Sequence, residues 1–128
     1  MELTVGSTTG RQVIDLTSGV EGLLDPLLNG LVVVSVPHST AAITTANLDP
    51  GTEQDLLDAL FELIPKREWR HAHNPSHTPD HLLASIVGSS LAVLVKKGKL
   101  SLGVWQHLVL IEFDGPRSLT LDVVFLEI

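Results

Sequence analysis

The sequence predicts a single α+β domain whose sheets are mostly antiparallel. Segments with the pattern of β-strands lie before, between and after the helical segments, without the regular strand–helix alternation that a parallel sheet needs. Turn residues recur along the whole chain, and no linker, repeat or low-complexity segment divides it. We therefore expect residues 1–128 to form one domain with a β-sandwich-like core and two or three helices.

The first part of the chain is expected to supply strands at residues 2–5, 11–16 and 31–36. The third of these is almost entirely apolar and β-branched, which is typical of a central strand covered on both faces. A helix is expected over residues 20–28, where apolar residues recur at helical spacing; Pro26 breaks this helix and Asn29-Gly30 ends it. Residues 40–45 are expected to continue the extended chain.

Two helices are expected in the middle of the chain. The first follows Asp49, which can cap it, and ends at Pro65. The second is capped by Thr78 and ends at Gly88, after a polar, histidine-rich segment at 69–77 that reads as a loop. The remaining residues are expected to form four strands: 90–95, 99–102, 104–113 and 118–127.

Composition excludes several classes of site and partner. The chain has no cysteine, so any metal must bind His, Asp or Glu. Eight Lys+Arg against 15 Asp+Glu give a net charge of −7, and the cations are scattered, which argues against nucleic-acid and anionic-membrane partners. The sequence has neither a signal-peptide pattern nor an apolar stretch of membrane length, so a cytoplasmic protein is expected. Its 44% hydrophobic content indicates either a large core or apolar surface buried between subunits.

Histidine is the residue type that says most about function, because four of the six histidines lie within residues 71–81. Histidines in a polar loop are most often simply solvated. His81 falls in the first turn of a predicted helix, where the helix dipole favours the neutral imidazole that binds a metal or acts as a base. His38 follows the central strand and precedes Ser39 and Thr40, so it either lines a ligand site or only caps a turn.

Other residues near the histidines are also candidates for a site. His77 and His81 have the i,i+4 spacing of a shared metal site, but Pro79 places the helix start between them, which argues against that pair. Asp80 and Asp114 are the acids that could assist a catalytic site.

The stretch that ends in Trp105-Gln106 lies at the start of the predicted strand 104–113. Strand alternation places these two side chains on opposite faces. Trp105 is expected in the core, and Gln106 is expected to be a buried amide that needs hydrogen-bond partners.

Six stretches, taken in order, carry a family resemblance. They are Pro37–Ile43, Asn47–Pro50, Trp69–His71, Asp80–Gly88, Gly98–Gln106 and Phe113–Arg117. Together they resemble the YjbQ-type family, often labelled secondary thiamine-phosphate synthase, over essentially residues 5–127. The resemblance implies a compact α+β domain with a β-sandwich-like core that assembles as a homotrimer, which accounts for the apolar composition.

The resemblance also implies a polar pocket with a divalent metal, zinc or magnesium. The implied metal ligands are His38, His71 and His81. The implied catalytic residues are His38, Thr40, His81 and Gln106, and the implied ligand-binding residues are Ser39, Asn47 and Arg117. The chain departs from the family pattern at Ser39, Leu83, Val104 and Ser118, and two of these departures remove cations that could hold a phosphate.

The expected activity is weak synthesis of thiamine phosphate from its pyrimidine and thiazole phosphates. This reaction expels pyrophosphate, so the site needs a divalent metal or cations such as Arg70 and Arg117. A metal-dependent hydrolase is a second enzymatic possibility. The alternatives outside catalysis are a trimeric protein that binds a metal or small ligand, and a scaffold whose pocket has lost its function. A catalytic metal site leaves one coordination position open, whereas a structural one is closed by protein ligands.

Overall fold

A computed structural model describes residues 1–128, whose strands form two antiparallel sheets. The eight strands are β1 (Glu2–Gly6), β2 (Gln12–Asp15), β3 (Gly30–Ser35), β4 (Ala41–Ala46), β5 (Ser90–Lys96), β6 (Lys99–Leu100), β7 (His107–Glu112) and β8 (Ser118–Glu127). One sheet has the order β1-β8-β3-β5-β6 and the other the order β2-β7-β4. All paired strands are antiparallel, so the predicted α+β class with an antiparallel sandwich is confirmed.

Three α-helices connect the strands. They are α1 (Thr17–Glu21), α2 (Thr52–Glu62) and α3 (Thr78–Val87), and a short 3₁₀ helix at Pro75–His77 leads directly into α3. The chain between β4 and β5, which includes α2 and α3, packs against the three-stranded sheet. None of these helices combines the length and the apolar character that crossing a membrane requires.

Strand β7 separates two apolar cores. Leu108 and Leu110 point into the core between the two sheets, whereas Val109 and Ile111 point into the core beneath α2 and α3. All four side chains are fully buried. The strand covered on both faces is therefore β7 and not residues 31–36 as predicted, because no helix covers the outer face of β3.

Of the helix predicted over residues 20–28, only residues 20 and 21 are helical. The helix α1 ends at Glu21, and the chain then turns around Asp25. The carboxylate of Asp25 accepts a hydrogen bond from the amide of Leu27 at 2.8 Å, and its carbonyl accepts one from Leu28 at 3.0 Å. Pro26 has no amide hydrogen to continue a helix, so the local turn is favoured over the apolar periodicity.

The ends of several other elements also differ from the prediction. Helix α2 begins at Thr52, with Gly51 as its N-cap at a φ of 90°, whereas Asp49 was expected to cap it. Thr78 is the first residue of α3 rather than its cap, because the 3₁₀ helix before it supplies the preceding turn. The strands expected at 99–102 and 104–113 are shortened by a turn that precedes β7.

Candidate functional site

The histidine-rich loop is tied down by hydrogen bonds to its own backbone. The Nδ1 atom of His71 accepts from the amides of His73 at 3.2 Å and Asn74 at 3.1 Å. The side chain of Asn74 accepts from the amide of Ser76 at 3.2 Å and so caps the 3₁₀ helix. The loop therefore holds the ring of His71 in one orientation against the start of α3.

His71 and His81 form a direct pair. Their Nε2 atoms lie 3.3 Å apart, and the rings stack with centroids 5.0 Å apart and an interplanar angle of 30°. Because Nδ1 of His71 accepts two amide hydrogens, the proton of the neutral ring belongs on Nε2. That assignment makes His71 the donor to Nε2 of His81 and leaves the proton of neutral His81 on its Nδ1.

A small polar cleft adjoins this pair. Its volume is about 200 Å³, and it lies between the segment after β3 and one side of α3. It is lined by His38, Ser39, Ala41, His81, Ala84, Ser85 and Ser89. The structure therefore brings three of the sequence-predicted site residues, His38, Ser39 and His81, to one cleft.

The histidine set His38, His71 and His81 does not fit the metal that the resemblance implies. Two nitrogens bound to one tetrahedral zinc at about 2.0–2.1 Å lie roughly 3.3–3.4 Å apart, and the 3.3 Å between His71 and His81 matches that spacing. However, the hydrogen-bond pattern puts a proton on the His71 nitrogen that a metal would need. His38 also adds no nitrogen within 4.8 Å of both partners. Within one chain these three histidines therefore do not form a complete metal site, and the predicted ligand set stays a prediction.

Arg117 forms an ion pair with the buried Glu112 that the sequence did not predict, and Thr40 accepts a hydrogen bond from the same guanidinium. The guanidinium of Arg117 donates from Nε and Nη2 to the two carboxylate oxygens of Glu112, at 3.0 and 2.8 Å. Nη2 also donates to the hydroxyl of Thr40 at 2.7 Å. Glu112 is completely buried. Two of the predicted catalytic and ligand-binding groups are therefore engaged with each other and with a carboxylate.

The charge of Glu112 is stabilised by its partners. Burial alone raises the pKa of this carboxyl, but the hydrogen bonds from Arg117, the Asp114 amide and the Ser7 hydroxyl outweigh burial and hold the pKa below its ordinary value. The Ser7 hydroxyl lies 3.1 Å from the carboxylate. The positive charge of Arg117 is thus largely neutralised, which makes it a poor phosphate ligand. A lone acid within an apolar strand, five residues before an arginine, was the available sequence signal for this pair.

Asn47 and Gln106 lie at the opposite end of β4 from the histidine cleft. The five residue steps from Ala41 to Ala46 span roughly 17 Å at about 3.4 Å per residue. Asn47 accepts a hydrogen bond from the amide of Asp49 at 2.7 Å and lines a different cleft. One chain therefore does not bring these two residues into the pocket that the resemblance implies.

Gln106 is exposed and organises a turn, whereas a buried amide was expected. Its Oε1 accepts from the amide of Gly103 at 2.8 Å, and its Nε2 donates to the Thr45 hydroxyl at 3.4 Å. The turn displays Val104 and Trp105, which are 82% and 66% exposed, so the expected core position of Trp105 is also wrong. Within the chain, the amide of Gln106 holds a loop and faces no histidine.

Replacing Gln106 with alanine is expected to lower the free energy of unfolding by about 1 kcal/mol, because the turn loses one good side-chain hydrogen bond. The affinity of the histidine cleft for a ligand is expected to stay unchanged in the isolated chain. Urea unfolding and ligand titration measure the two effects, and Gln54→Ala on the exposed side of α2 is the matched control. A tenfold loss of ligand affinity without loss of stability contradicts the structural role.

A second cluster lies beside the histidine pair. Atoms of His77, Asp80 and Asp114 that can bind a metal all lie within 4.8 Å of one another. Asp80 is only 7% exposed. Burial raises the pKa of its carboxyl above the ordinary value, the charge of Arg11 opposes that rise, and the charge of Asp114 adds to it. The sequence indicated both acids as candidates. It argued against His77 as a ligand, because Pro79 places a helix start between His77 and His81.

The largest cleft, of about 710 Å³, lies between the segment after α2 and the 3₁₀ helix. Its walls carry the aromatic rings of Phe61 and Trp69 and the cations Arg11, Lys66 and Arg67. The guanidinium carbon of Arg11 lies 3.4 Å from the centre of the Phe61 ring. This combination of cations and aromatic rings suits an anionic ligand that carries a ring, and the sequence did not predict it.

Comparisons with known proteins agree with this architecture. The family model described as UPF0047 protein YjbQ-like matches residues 1–127. A UPF0047 protein of Archaeoglobus fulgidus is 37% identical over 119 residues, 92% of this chain and 94% of that protein. YugU of Bacillus subtilis is 37% identical over 124 residues and 92% of each chain.

Solved structures give the same result. Hypothetical protein APE1520 from Aeropyrum pernix has a TM-score of 0.90 at 36% identity, covering 100% of this chain and 98% of that one. TT1486 from Thermus thermophilus has a TM-score of 0.89 at 37% identity, covering 98% and 99%. The chain therefore belongs to the YjbQ-like UPF0047 family, whose fold it shares along its length.

Proposed function

We propose that the protein is an enzyme that acts on a small phosphorylated molecule, of the thiamine-phosphate-synthase-like transferase kind. The observation that carries this proposal is the contact of 3.3 Å between the Nε2 atoms of His71 and His81. A histidine held in one tautomer by a second, fixed histidine is typical of an acid–base centre. His81 also borders the polar cleft that His38 and Ser39 line, so a reacting group there is within reach of it.

The chemistry of the proposed transfer suits these groups. The ring nitrogen of the thiazole phosphate attacks the methylene carbon of the pyrimidine, a C–N bond forms, and the C–O bond to pyrophosphate breaks. The departing oxygens gain negative charge, which proton donors and cations stabilise. In our proposal, His81 donates a hydrogen bond from its Nδ1 to the departing oxygen, and His71 positions His81 through the Nε2–Nε2 hydrogen bond.

The large cleft supplies the cations that the histidine cleft lacks. Arg117 is paired with Glu112, so we assign phosphate binding to Arg11, Lys66 and Arg67 instead. Both clefts border α3, since Pro79 lines the larger one and His81 the smaller one. A substrate with an aromatic ring and a phosphate matches the lining of the larger cleft.

A non-catalytic, trimeric protein that binds a small ligand is the second candidate. The observation that favours it is the volume of the histidine cleft, because about 200 Å³ is smaller than the roughly 300–1,000 Å³ of most ligand pockets. Such a cleft holds a small anion more readily than a thiamine phosphate. In this alternative, His38 and His81 donate hydrogen bonds to the ligand and no bond is made or broken.

Turnover separates the two candidates. The purified protein is incubated with the pyrimidine pyrophosphate and the thiazole phosphate, and thiamine phosphate is measured by chromatography. We expect product at a rate proportional to protein concentration, and we expect His73→Asn to leave the rate unchanged because its ring is exposed in the same loop. Absence of product in the presence of Mg²⁺, Mn²⁺ or Zn²⁺ contradicts the transferase proposal and leaves the binding protein.

We also propose that the protein is a homotrimer that uses the open face of the five-stranded sheet. Two rows of apolar side chains cross three neighbouring strands on that face. One row is Leu94, Leu31 and Leu126, and the other is Ala92, Val33 and Val124. Leu94, Val124 and Leu126 are each 53% exposed. Contiguous apolar surface of this kind supports burial against another copy, and it is continuous along three neighbouring strands.

A charge on this face is expected to separate the subunits. Leu94→Glu places a carboxylate among apolar neighbours, so the mass measured by light scattering is expected to fall from three times the 13.8 kDa chain to one. Leu27→Glu is the matched control, since Leu27 is 84% exposed in the turn after α1. A trimer that survives Leu94→Glu, or a parent protein that is monomeric, contradicts the proposed interface.

A further inference from the structure

Three side chains from different parts of the chain converge beside the histidine pair. His77 ends the 3₁₀ helix, Asp80 lies in the first turn of α3, and Asp114 follows β7. Their ligand atoms all lie within 4.8 Å of one another. Nε2 of His77 and Oδ1 of Asp114 are 3.9 Å apart, which is too long for a hydrogen bond. A convergence of one imidazole and two carboxylates at this spacing leaves room for an ion between them.

Asp80 gives the second and independent observation. Only 7% of its residue surface is exposed, and its carboxylate makes neither a hydrogen bond nor a salt bridge within the chain, although the charge of Arg11 acts on it. Carboxylates of largely buried residues are normally paired, because burial removes most of their hydration. Here the unpartnered oxygens face a second carboxylate, that of Asp114, within the same gap. A cation relieves both the missing partner and the repulsion.

The cluster is held by backbone contacts. The amide of Asp114 donates to the carboxylate of Glu112 at 3.1 Å, and the amide of His77 donates to the carbonyl of Asn74 at 3.1 Å. Asp80 is fixed by its place in α3. The three groups therefore come from rigid elements, which favours a preformed site over a chance encounter of exposed acids.

We propose that His77, Asp80 and Asp114 bind one divalent transition-metal cation, Zn²⁺ or Mn²⁺. Both ions accept a mixed set of imidazole and carboxylate ligands, and the imidazole makes the set less suited to Mg²⁺ or Ca²⁺. Three protein ligands leave at least one coordination position open, as in catalytic metal sites. The site differs from the predicted set of His38, His71 and His81.

An oxygen of an anionic group, such as a phosphate, would complete the coordination at the open position. This part of the inference rests on the proposed function. Arg11, whose charge acts on Asp80, also lines the large cationic cleft, so an anion bound there lies near the cation site. Metal binding itself does not depend on the transferase activity.

The experiment is a titration of metal-free, full-length protein with ZnCl₂ and with MnCl₂ by calorimetry. We expect one ion per chain, and we expect Asp80→Asn and Asp114→Asn each to weaken binding by at least about 100-fold, as loss of a direct ligand does. His107→Asn is the matched control, because His107 and Asp15 form an exposed pair, 3.1 Å apart, without a third ligand. Circular dichroism shows that each variant remains folded.

Three results overturn the inference. They are no binding by the parent protein, equal binding by the parent and both Asp variants, and binding lost on His71→Asn but kept in the Asp variants. For Mn²⁺, the electron paramagnetic resonance spectrum gives a second reading, since the broadened spectrum of the bound ion is absent from Asp80→Asn. Ion binding without any thiamine phosphate formation disproves the transferase activity but not the metal site.

Discussion

Replacing Glu112 with glutamine is expected to lower the free energy of unfolding by about 3–5 kcal/mol. Glutamine keeps the shape of the side chain but removes the charge that pairs with Arg117. The guanidinium, whose side chain is 28% exposed, then loses its counter-charge, and one of its N–H groups faces an amide that accepts less strongly. Urea unfolding, followed by circular dichroism, measures the change.

The controls isolate the ion pair from the general effect of substitution. Glu127→Gln, near the exposed end of β8, is expected to change the free energy of unfolding by less than about 0.5 kcal/mol. The double variant Glu112→Met with Arg117→Met is expected to recover much of the loss, because neither charge is left without a partner. A loss below about 1 kcal/mol in Glu112→Gln contradicts a stabilising role of the charge on Glu112 in its pair with Arg117.

The same carboxylate gives the stability a defined dependence on pH. The pKa of Glu112 is lower in the folded chain than its ordinary value of 4.5, so its contribution is fully present above pH 4.5 and is lost as the pH falls through the folded pKa. The parent protein is therefore expected to lose stability below pH 4.5 more steeply than Glu112→Gln. Unfolding curves at several acid pH values test this, and parallel losses in both proteins contradict it.

The fold class was predictable because, in most elements, the local sequence pattern matches the observed secondary structure. The helix that ends before Pro65, the helix that ends at Gly88 and the run of strands after it each carry both the periodicity and the turn residues of the observed element. The residue pattern of a single strand does not show against which sheet the helices pack. Residues 31–36 and β7 are similarly apolar, yet only β7 has α2 and α3 on its second face.

This difference between the two strands has a consequence for assembly. Because β3 is apolar on a face that the helices leave open, the apolar content noted in the sequence is divided between the interior and an exposed surface. A monomer gains little from Leu94, Val124 and Leu126 at such exposure. The composition left a large core and a subunit contact as alternatives, and the register of the strands places the exposed apolar side chains on one face.

Only part of the predicted site comes together within one chain. His38, Ser39 and His81 meet at one cleft, but Asn47 and Gln106 lie at the other end of β4. Sequence motifs record which residues a family retains and contain no distances. Within one chain, the observed role of Gln106 is to hold the turn at Gly103.

The residues that sequence reasoning missed depend on long-range contacts. Arg117 reads as a free cation until Glu112 is seen to pair with it. His77 acquires possible ligand partners only because β7 delivers Asp114 to the start of α3. Neither contact produces a periodic pattern from which it could be predicted.

Removing the ring of His81 is expected to give the largest change in activity. His81→Asn is expected to lower kcat/KM for thiamine phosphate formation by about 10²–10⁴-fold, which is the usual contribution of a general acid or base. The measurement is the initial rate at subsaturating substrate. Circular dichroism and the exposed-loop variant His73→Asn control for loss of folding and for effects of the loop.

A double-variant cycle tests whether His71 acts through His81. His71 has its Nδ1 bound to two backbone amides, so its role is to orient His81 through the 3.3 Å contact between Nε2 atoms. His71→Asn is therefore expected to cost less than His81→Asn, and the double variant is expected to be no slower than His81→Asn alone. His71→Gln retains an N–H donor and is expected to recover part of the rate.

Additive losses have a different meaning. If the double variant loses the product of the two single effects, each histidine acts on the substrate independently, and the assignment of His71 as a positioning residue is wrong. If His71→Asn lowers stability and both kinetic constants remain those of the parent, the loop contacts of His71 are structural only. A fixed, hydrogen-bonded pair of imidazoles requires two results: non-additive losses in the double variant and partial recovery in His71→Gln. Both are expected because the two substitutions then disrupt the same hydrogen-bonded pair.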